Sequence, residues 1–254
     1  MSSFTHEHYR YIMHSALQSG YKFISYSDLR HHLTSTQNIC LLRHDCDNDL
    51  SAALSIARIE FEMGIRSTYF VMLRSAIYNL MSFPCKKIVK EIISLGHWVG
   101  LHFDAQPYEN LESYEIAIHV DQERAWLSEE FNVLVDVVSF HQPSFRILDN
   151  QIKLNCLNTY DRFDMAGVHY LSDSNMSWKE GCPSDLFYQH QYQKLQLLLH
   201  PEWWTKKEIN LDQKWMMILF NQFDIIQNSL MEREATYNSL RLFQIDHVDI
   251  ASLQ

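Results

Sequence analysis

Short apolar runs recur along the chain, and the stretches between them carry apolar residues at helical spacing. Strand-like runs lie at Tyr21–Ile24, Ile39–Asp45, Ser67–Leu73, Trp98–Phe103, Val133–Phe140, Val168–Leu171 and Leu195–Leu199. They are rich in the aliphatic, β-branched and aromatic residues that suit a buried sheet. Residues 6–19 predict a helix with Tyr9, Ile12, Met13 and Leu17 on one face and Gly20 ending it. A short helix is expected from Ser27–Asp28 to Leu33. Another starts after Asn48 or Asp49, with Leu50, Leu54, Ala57 and Phe61 in phase and Gly64 as its stop. Further helices are expected at Cys85–Leu95, closed by Gly96, and at Leu111–Glu130. A last amphipathic helix carries Met216, Leu219, Phe220, Phe223, Ile226 and Leu230. Residues 150–192 are less regular. Strands that alternate with helices predict parallel strands joined by crossover helices. No composition break or repeat divides the chain. The expected organisation is one domain over residues 1–254, with an N-terminal helical extension (about 1–38) and a C-terminal helix (about 208–240).

Composition narrows the function classes. The 254 residues suffice for one large α/β barrel or two small domains, and 46% hydrophobic content is ordinary for a full core. A formal charge of −10 argues against nucleic-acid binding, which needs a basic surface, and against a basic membrane patch. The five cysteines are odd in number and form no Cys-x-x-Cys pair, so they read as reduced thiols. Residues 1–7 show no basic-then-apolar signal segment, and the longest apolar run, Trp215–Phe220, is too short to span a bilayer. These features lead to the expectation of a cytoplasmic protein.

The candidate chemistry stands at the C-terminal ends of the strands: Asp45 and Asp47, His102 and Asp104, His141, and His200. In an α/β barrel several strand ends converge on that face. Side chains alternate along a strand, so Arg43, Asp45 and Asp47 share one side while His44 points to the other. Asp47, His102 and Asp104 are suitable ligands for a divalent metal. His200 precedes Pro201, Glu202, Trp203 and Trp204, a pattern that suits a proton donor beside a sugar-stacking wall. Asp173–Trp178 is polar, ends in an aromatic, and could line a cleft. His97 is expected to be structural, and His6, His8, His31 and His32 to lie on solvated faces. Nucleotide-binding glycine loops and the Gly-x-Ser-x-Gly elbow are missing.

The order of these pieces resembles the five motifs of the polysaccharide deacetylase superfamily. They are Arg-His-Asp-Cys-Asp at 43–47, Gly-His-Trp-Val-Gly-Leu-His at 96–102, Ser-Phe-His-Gln-Pro at 139–143, Ser-Asp-Ser-Asn-Met-Ser-Trp at 172–178 and Leu-Leu-His-Pro at 198–201. The likeness covers roughly residues 39–205 and is nearest the branch associated with surface-polysaccharide (O-antigen) biosynthesis. It implies a distorted (β/α) barrel of about seven parallel strands and a metal-dependent amide or ester hydrolase. By position, Asp45 matches the catalytic base, Asp47 and His102 match metal ligands, and His200 matches the proton donor. Two positions depart from the pattern. Gln106 stands where a second metal histidine belongs, which makes His141 the first candidate for the third ligand, with Asp104 and His44 as alternatives. His141 in turn stands where an arginine commonly orients the base, a task open to Arg43. The implied cofactor is a divalent metal, zinc first. The implied partner is an N-acetylated sugar or oligosaccharide, free or linked to a nucleotide or lipid, with Trp178, Trp203, Trp204 and Asp173 as substrate-binding candidates. A homo-oligomer is compatible with the apolar C-terminal helix. The competing readings are a non-catalytic carbohydrate-binding or scaffold barrel that lost a ligand at Gln106, and a deformylase acting on a lipid-linked sugar.

Overall fold

In the computed structural model, which describes residues 3–149 and 151–237, the apolar runs become strands of one parallel sheet. The strands are β1 Lys22–Phe23, β2 Ile39–Cys46, β3 Thr68–Val71, β4 Trp98–Asp104, β5 Val137–His141, β6 Leu157–Asn158, β7 His169–Ser172 and β8 Lys194–Leu199. The helices are α1 His6–Gln18, α2 Leu29–His32, α3 Leu50–Glu62, α4 Phe83–Ser94, α5 Ser113–Phe131, α6 Phe145–Leu148, α7 Pro183–Tyr188 and α8 Leu211–Arg233. The sheet runs β6-β5-β4-β3-β2-β8-β7, with the two-residue β1 added on β2. It is a curled half-barrel of seven parallel strands, and among the described residues no pairing joins β6 to β7. The expected distorted barrel is therefore present, open on one side.

β2 is the axis of the fold, and all eight of its residues are buried. A strand covered on both faces needs apolar side chains in both directions. Ile39 and Leu41 face inward to Tyr26, Phe70 and Val137. Cys40 and Leu42 face outward to Tyr9, Ile12 and Ile56. The same alternation then delivers Arg43 and Asp45 inward and His44 outward. Gly100 of β4 is required by this interior. A Cβ there would lie 2.5 Å from the Phe70 ring, and that ring lies 5.4 Å from the Arg43 guanidinium.

The described residues before β2 pack against the fold. Thr5 caps α1 and pairs with Thr205, and His6 N–H donates to the Thr205 carbonyl at 2.8 Å. Tyr9, Ile12, Met13 and Ala16 are buried, whereas Leu17, expected on the same face, is 39% exposed. Phe61 likewise lies outside the buried face of α3. Val133–Asp136 forms no strand, because the ladder with β4 starts only at Val138 opposite Leu101. The described residues divide into two compact units, one ending at 210 and one starting at 211. The second holds α8, where Leu219, Phe223 and Ile226 are exposed and Lys214 and Ile218 are buried. The end of the expected helix, residues 238–240, lies outside the described residues. No helix among the described residues is long and apolar enough to cross a membrane.

Behind β2 lies a buried polar cluster. Glu60 of α3 receives His44 Nε2 at 2.7 Å, Ser67 Oγ at 2.6 Å, Tyr69 OH at 2.7 Å and the Tyr9 hydroxyl. His97 Nε2 lies 3.0 Å from the Ala57 carbonyl, the structural role expected of it. His44 is thus turned away from the strand-end acids and is no metal ligand. Burial opposes ionisation of Glu60, but His44, His97 and Ser67 outweigh it and bring its pKa down to about 2. A depressed carboxylate stabilises the fold above its ordinary pKa of about 4.5 and loses that contribution as pH falls towards 2. At pH 7, Glu60→Gln is expected to cost on the order of 3 kcal/mol, and the gap should narrow by roughly half at pH 3. Urea midpoints of both proteins at the two pH values check this; a gap that does not change with pH contradicts it.

Candidate metal and catalytic centre

The inward row of β2 ends in a buried ion pair. Arg43 Nε donates to Asp45 Oδ1 at 2.8 Å, and its Nη2 donates to Oδ2 at 2.6 Å. The rest of the guanidinium is used as well: Nη1 donates to Thr159 Oγ1 at 3.0 Å, and Nη2 to Tyr160 OH at 2.9 Å and to the Ser139 hydroxyl. Both partners are at most 2% exposed, so the two-pronged geometry and these extra acceptors are what make the pair tolerable in the interior. Burial disfavours the Asp45 carboxylate, but Arg43 and then His102 outweigh it and hold its carboxyl below the usual range.

The ends of β2, β4 and β5 meet above this pair. The register sets His102 beside Ser139 and Asp104 beside His141. Asp47, in the turn after β2, places Oδ1 2.9 Å from His102 Nε2 and 3.5 Å from His141 Nδ1. Ligand atoms of Asp47, His102 and His141 all lie within 4.8 Å of one another. Asp47 Oδ1 is buried and has no hydrogen-bond partner. An orphaned carboxylate oxygen facing two imidazole nitrogens fits a cation, and an N,N,O donor set suits a divalent transition metal. His102 also has an outer partner that would fix its ring, with Nδ1 2.9 Å from Ser139 Oγ. Burial opposes the Asp47 carboxylate, yet His102, His141 and His200 hold its carboxyl well below the usual range. The Asp47 contact raises the pKa of His141. Asp104 is not in the group; its Oδ1 accepts the Gln106 N–H at 3.0 Å.

On the opposite side, His200 Nε2 lies 3.9 Å from Asp47 Oδ2. Its Nδ1 lies 2.6 Å from Asp173 Oδ1, and its backbone N–H donates to the same carboxylate at 3.1 Å. Trp204 Nε1 supplies another donor to Asp173 at 2.9 Å. Burial alone would lower the pKa of His200, but Asp173 raises it to about 10, so the imidazole is cationic at neutral pH. Nearby, burial and then Asp47 push the Glu202 carboxyl up to about 8, and its Oε1 accepts from Asn48 Nδ2 at 2.8 Å.

The structure thus brings together Arg43, Asp45, Asp47, His102, His141 and His200. Of the expected substrate wall, Trp203 and Trp204 are covered and Trp178 is half-buried. Trp204 is 2% and Trp203 9% exposed; Trp204 packs on Phe4 and Tyr9, and its N–H is used on Asp173. Trp178 stacks on Phe4 at 6.2 Å. Asp173 is fully buried and holds His200, so it is not free to receive a substrate. His6 and His8 are half-buried: His6 Nε2 lies 3.2 Å from the Trp204 carbonyl and His8 Nε2 3.4 Å from Cys182 Sγ. Ser139, Thr159 and Tyr160 were missed. Strand parity two residues before His141 could have found Ser139, but nothing local marks the other two.

No family model matches the chain, and no curated protein matches it. Solved structures do match. The chain is similar to the deacetylase PplD of Streptococcus pyogenes, solved in complex with acetate, with 15% identity and a TM-score of 0.49 over 73% of this chain and 85% of that one. It is similar to a CE4 family pseudoenzyme of Bacillus anthracis, with 13% identity and a TM-score of 0.45 over 74% of this chain and 61% of that one. It is also similar to the chitin deacetylase of the fungal pathogen Colletotrichum lindemuthianum, with 16% identity and a TM-score of 0.44 over 74% of this chain and 84% of that one.

Proposed function

We propose that this chain is a metal-dependent hydrolase that removes an acyl group, acetyl first, from the amino group of a sugar used in building a surface polysaccharide. The observation that carries this reading is the convergence of Asp47, His102 and His141 beside two groups of opposite proton demand, Asp45 and His200. The five motifs in order support the substrate class.

Asp47, His102 and His141 would hold the metal, zinc first. Bound there, it would supply a water of lowered pKa and positive charge for the oxygen that becomes negative as the carbonyl is attacked. Asp45, kept ionised and held in one orientation by the Arg43 fork, takes a proton from the attacking water. The water oxygen bonds to the acyl carbon and the C–N bond breaks. His200, cationic through its contact with Asp173, gives its proton to the departing nitrogen. The products are a carboxylate and a free amino sugar. Ser139 links Arg43 to His102 and thereby couples the base to the metal side of the site.

Acetamido and formamido sugars, free and linked to nucleotides or lipids, should be offered side by side to the zinc-loaded protein. Acetate release is expected. Formate release alone would make the enzyme a deformylase, and no acid from any sugar would favour the non-catalytic binder. The role of His200 has a separate check. In metal-free protein its imidazole should titrate near 10, and in Asp173→Asn the largest opposition to burial is removed, leaving only Asp47 and Glu202 to raise it, so the value should fall. Proton NMR titration measures this, and an unchanged value would refute the role assigned to Asp173.

A further inference from the structure

One side of α8 carries a pattern that reads nearly the same from either end. Trp215, Leu219, Phe223, Ile226 and Leu230 recur at steps of three and four, within an arc of about 80° around the helix. All five are at least 36% exposed. The buried Lys214 and Ile218 lie on the neighbouring flank, so the stripe is not the side that this helix buries. One charge closes each end of the same arc, Asp212 at its start and Arg233 at its finish, and both are exposed. We propose that this stripe is the interface of a twofold dimer, in which α8 packs antiparallel on α8 of a second copy of this chain.

A twofold interface uses one patch twice, so its residues must suit one another when the direction is reversed. The stripe meets that condition. Reversed about a point between Gln222 and Phe223, it sets Asp212 opposite Arg233, Trp215 opposite Leu230 and Leu219 opposite Ile226, and the two copies of Phe223 meet at the centre. Each apolar side chain then faces an apolar one, and each charge faces its opposite. A parallel pair would set Asp212 against Asp212 and Arg233 against Arg233, and like charges at such spacing repel. Antiparallel helices also bring opposite ends of their backbone dipoles together. The alternating steps of three and four are those of a coiled-coil seam. A lipid surface suits the helix less well. Helices that lie on membranes carry Lys and Arg on their polar face, whereas α8 has Asp212, Asp224 and Glu232 against Lys214 and Arg233, in a chain of formal charge −10. The dimer holds whether or not the chain is a hydrolase.

Sedimentation velocity of the full chain, from about 1 to about 100 µM at low salt, should show a species of twice the 30.2 kDa chain mass. Phe223→Glu sets two like charges at the apolar centre and should raise the dissociation constant about a hundredfold or more. Asp212→Arg turns the attraction at both ends into repulsion and should raise it about fivefold. Adding Arg233→Asp to that variant restores both attractions and should bring the constant back to within about twofold of the parent. A parallel dimer would exchange one like pair for another in Asp212→Arg and show no change. A parent that stays monomeric at about 100 µM, a dimer that Phe223→Glu leaves as tight as the parent, or Asp212→Arg as tight as the parent would each overturn the proposal. A monomeric parent that pellets with phosphatidylglycerol vesicles would assign the stripe to a membrane instead.

Discussion

Asp45→Asn is expected to lower acid release by about a hundredfold to ten-thousandfold while the protein still binds its metal. The substitution keeps the size of the side chain and removes its capacity to accept the water's proton. It also leaves Arg43, fully buried, facing an amide in place of a carboxylate. Breaking a buried pair by removing one charge costs about 3–5 kcal/mol, so a lower melting temperature should accompany the loss of activity. The remaining acceptors, Thr159, Tyr160 and Ser139, soften that cost. Metal content measured on the same sample separates the two effects, because a folded site that binds metal and does not turn over has lost the base and not its architecture. Full activity in Asp45→Asn would remove Asp45 from the mechanism.

His141→Ala is expected to weaken metal binding roughly a hundredfold or more, since a lost ligand should cost at least as much as a lost outer partner. The reason is geometric. Among the described residues, the metal-competent group is Asp47, His102 and His141, and deleting one leaves a carboxylate and a single imidazole. Gln106→Ala should leave metal affinity unchanged, because that exposed side chain lines a cavity of about 300 Å³ on which His141 also borders. Competition against a fluorescent zinc chelator reads both affinities. Equal affinity in His141→Ala and the parent would mean that another group completes the site.

Much of this arrangement was legible in the sequence because two periodicities carry it. Alternation along β2 put Arg43 and Asp45 on one side and His44 on the other, and the fold keeps that division: Arg43 is bound to Asp45 and His44 to Glu60. His102 and His141 were visible as ionisable groups ending apolar runs. What stayed hidden depends on contacts between distant segments. Trp203 and Trp204 read as an open wall because they follow His200, but the N-terminal segment brings Phe4, and α1 brings Tyr9, against Trp204. Asp173 read as a substrate group because its partner, His200, belongs to the next strand's end. The glutamine at position 106 read as a sign of a lost ligand. The parallel register places His141 opposite Asp104, and this supplies a nitrogen from the neighbouring strand. The buried Glu60 cluster gave no local signal, since its donors come from α1, β2 and β3 with the residue before it.

The most direct measurement is elemental analysis of the purified full chain, after metal stripping and reconstitution with zinc. The account predicts one bound divalent ion per chain, held through gel filtration. A chain that retains no transition metal after reconstitution would contradict it.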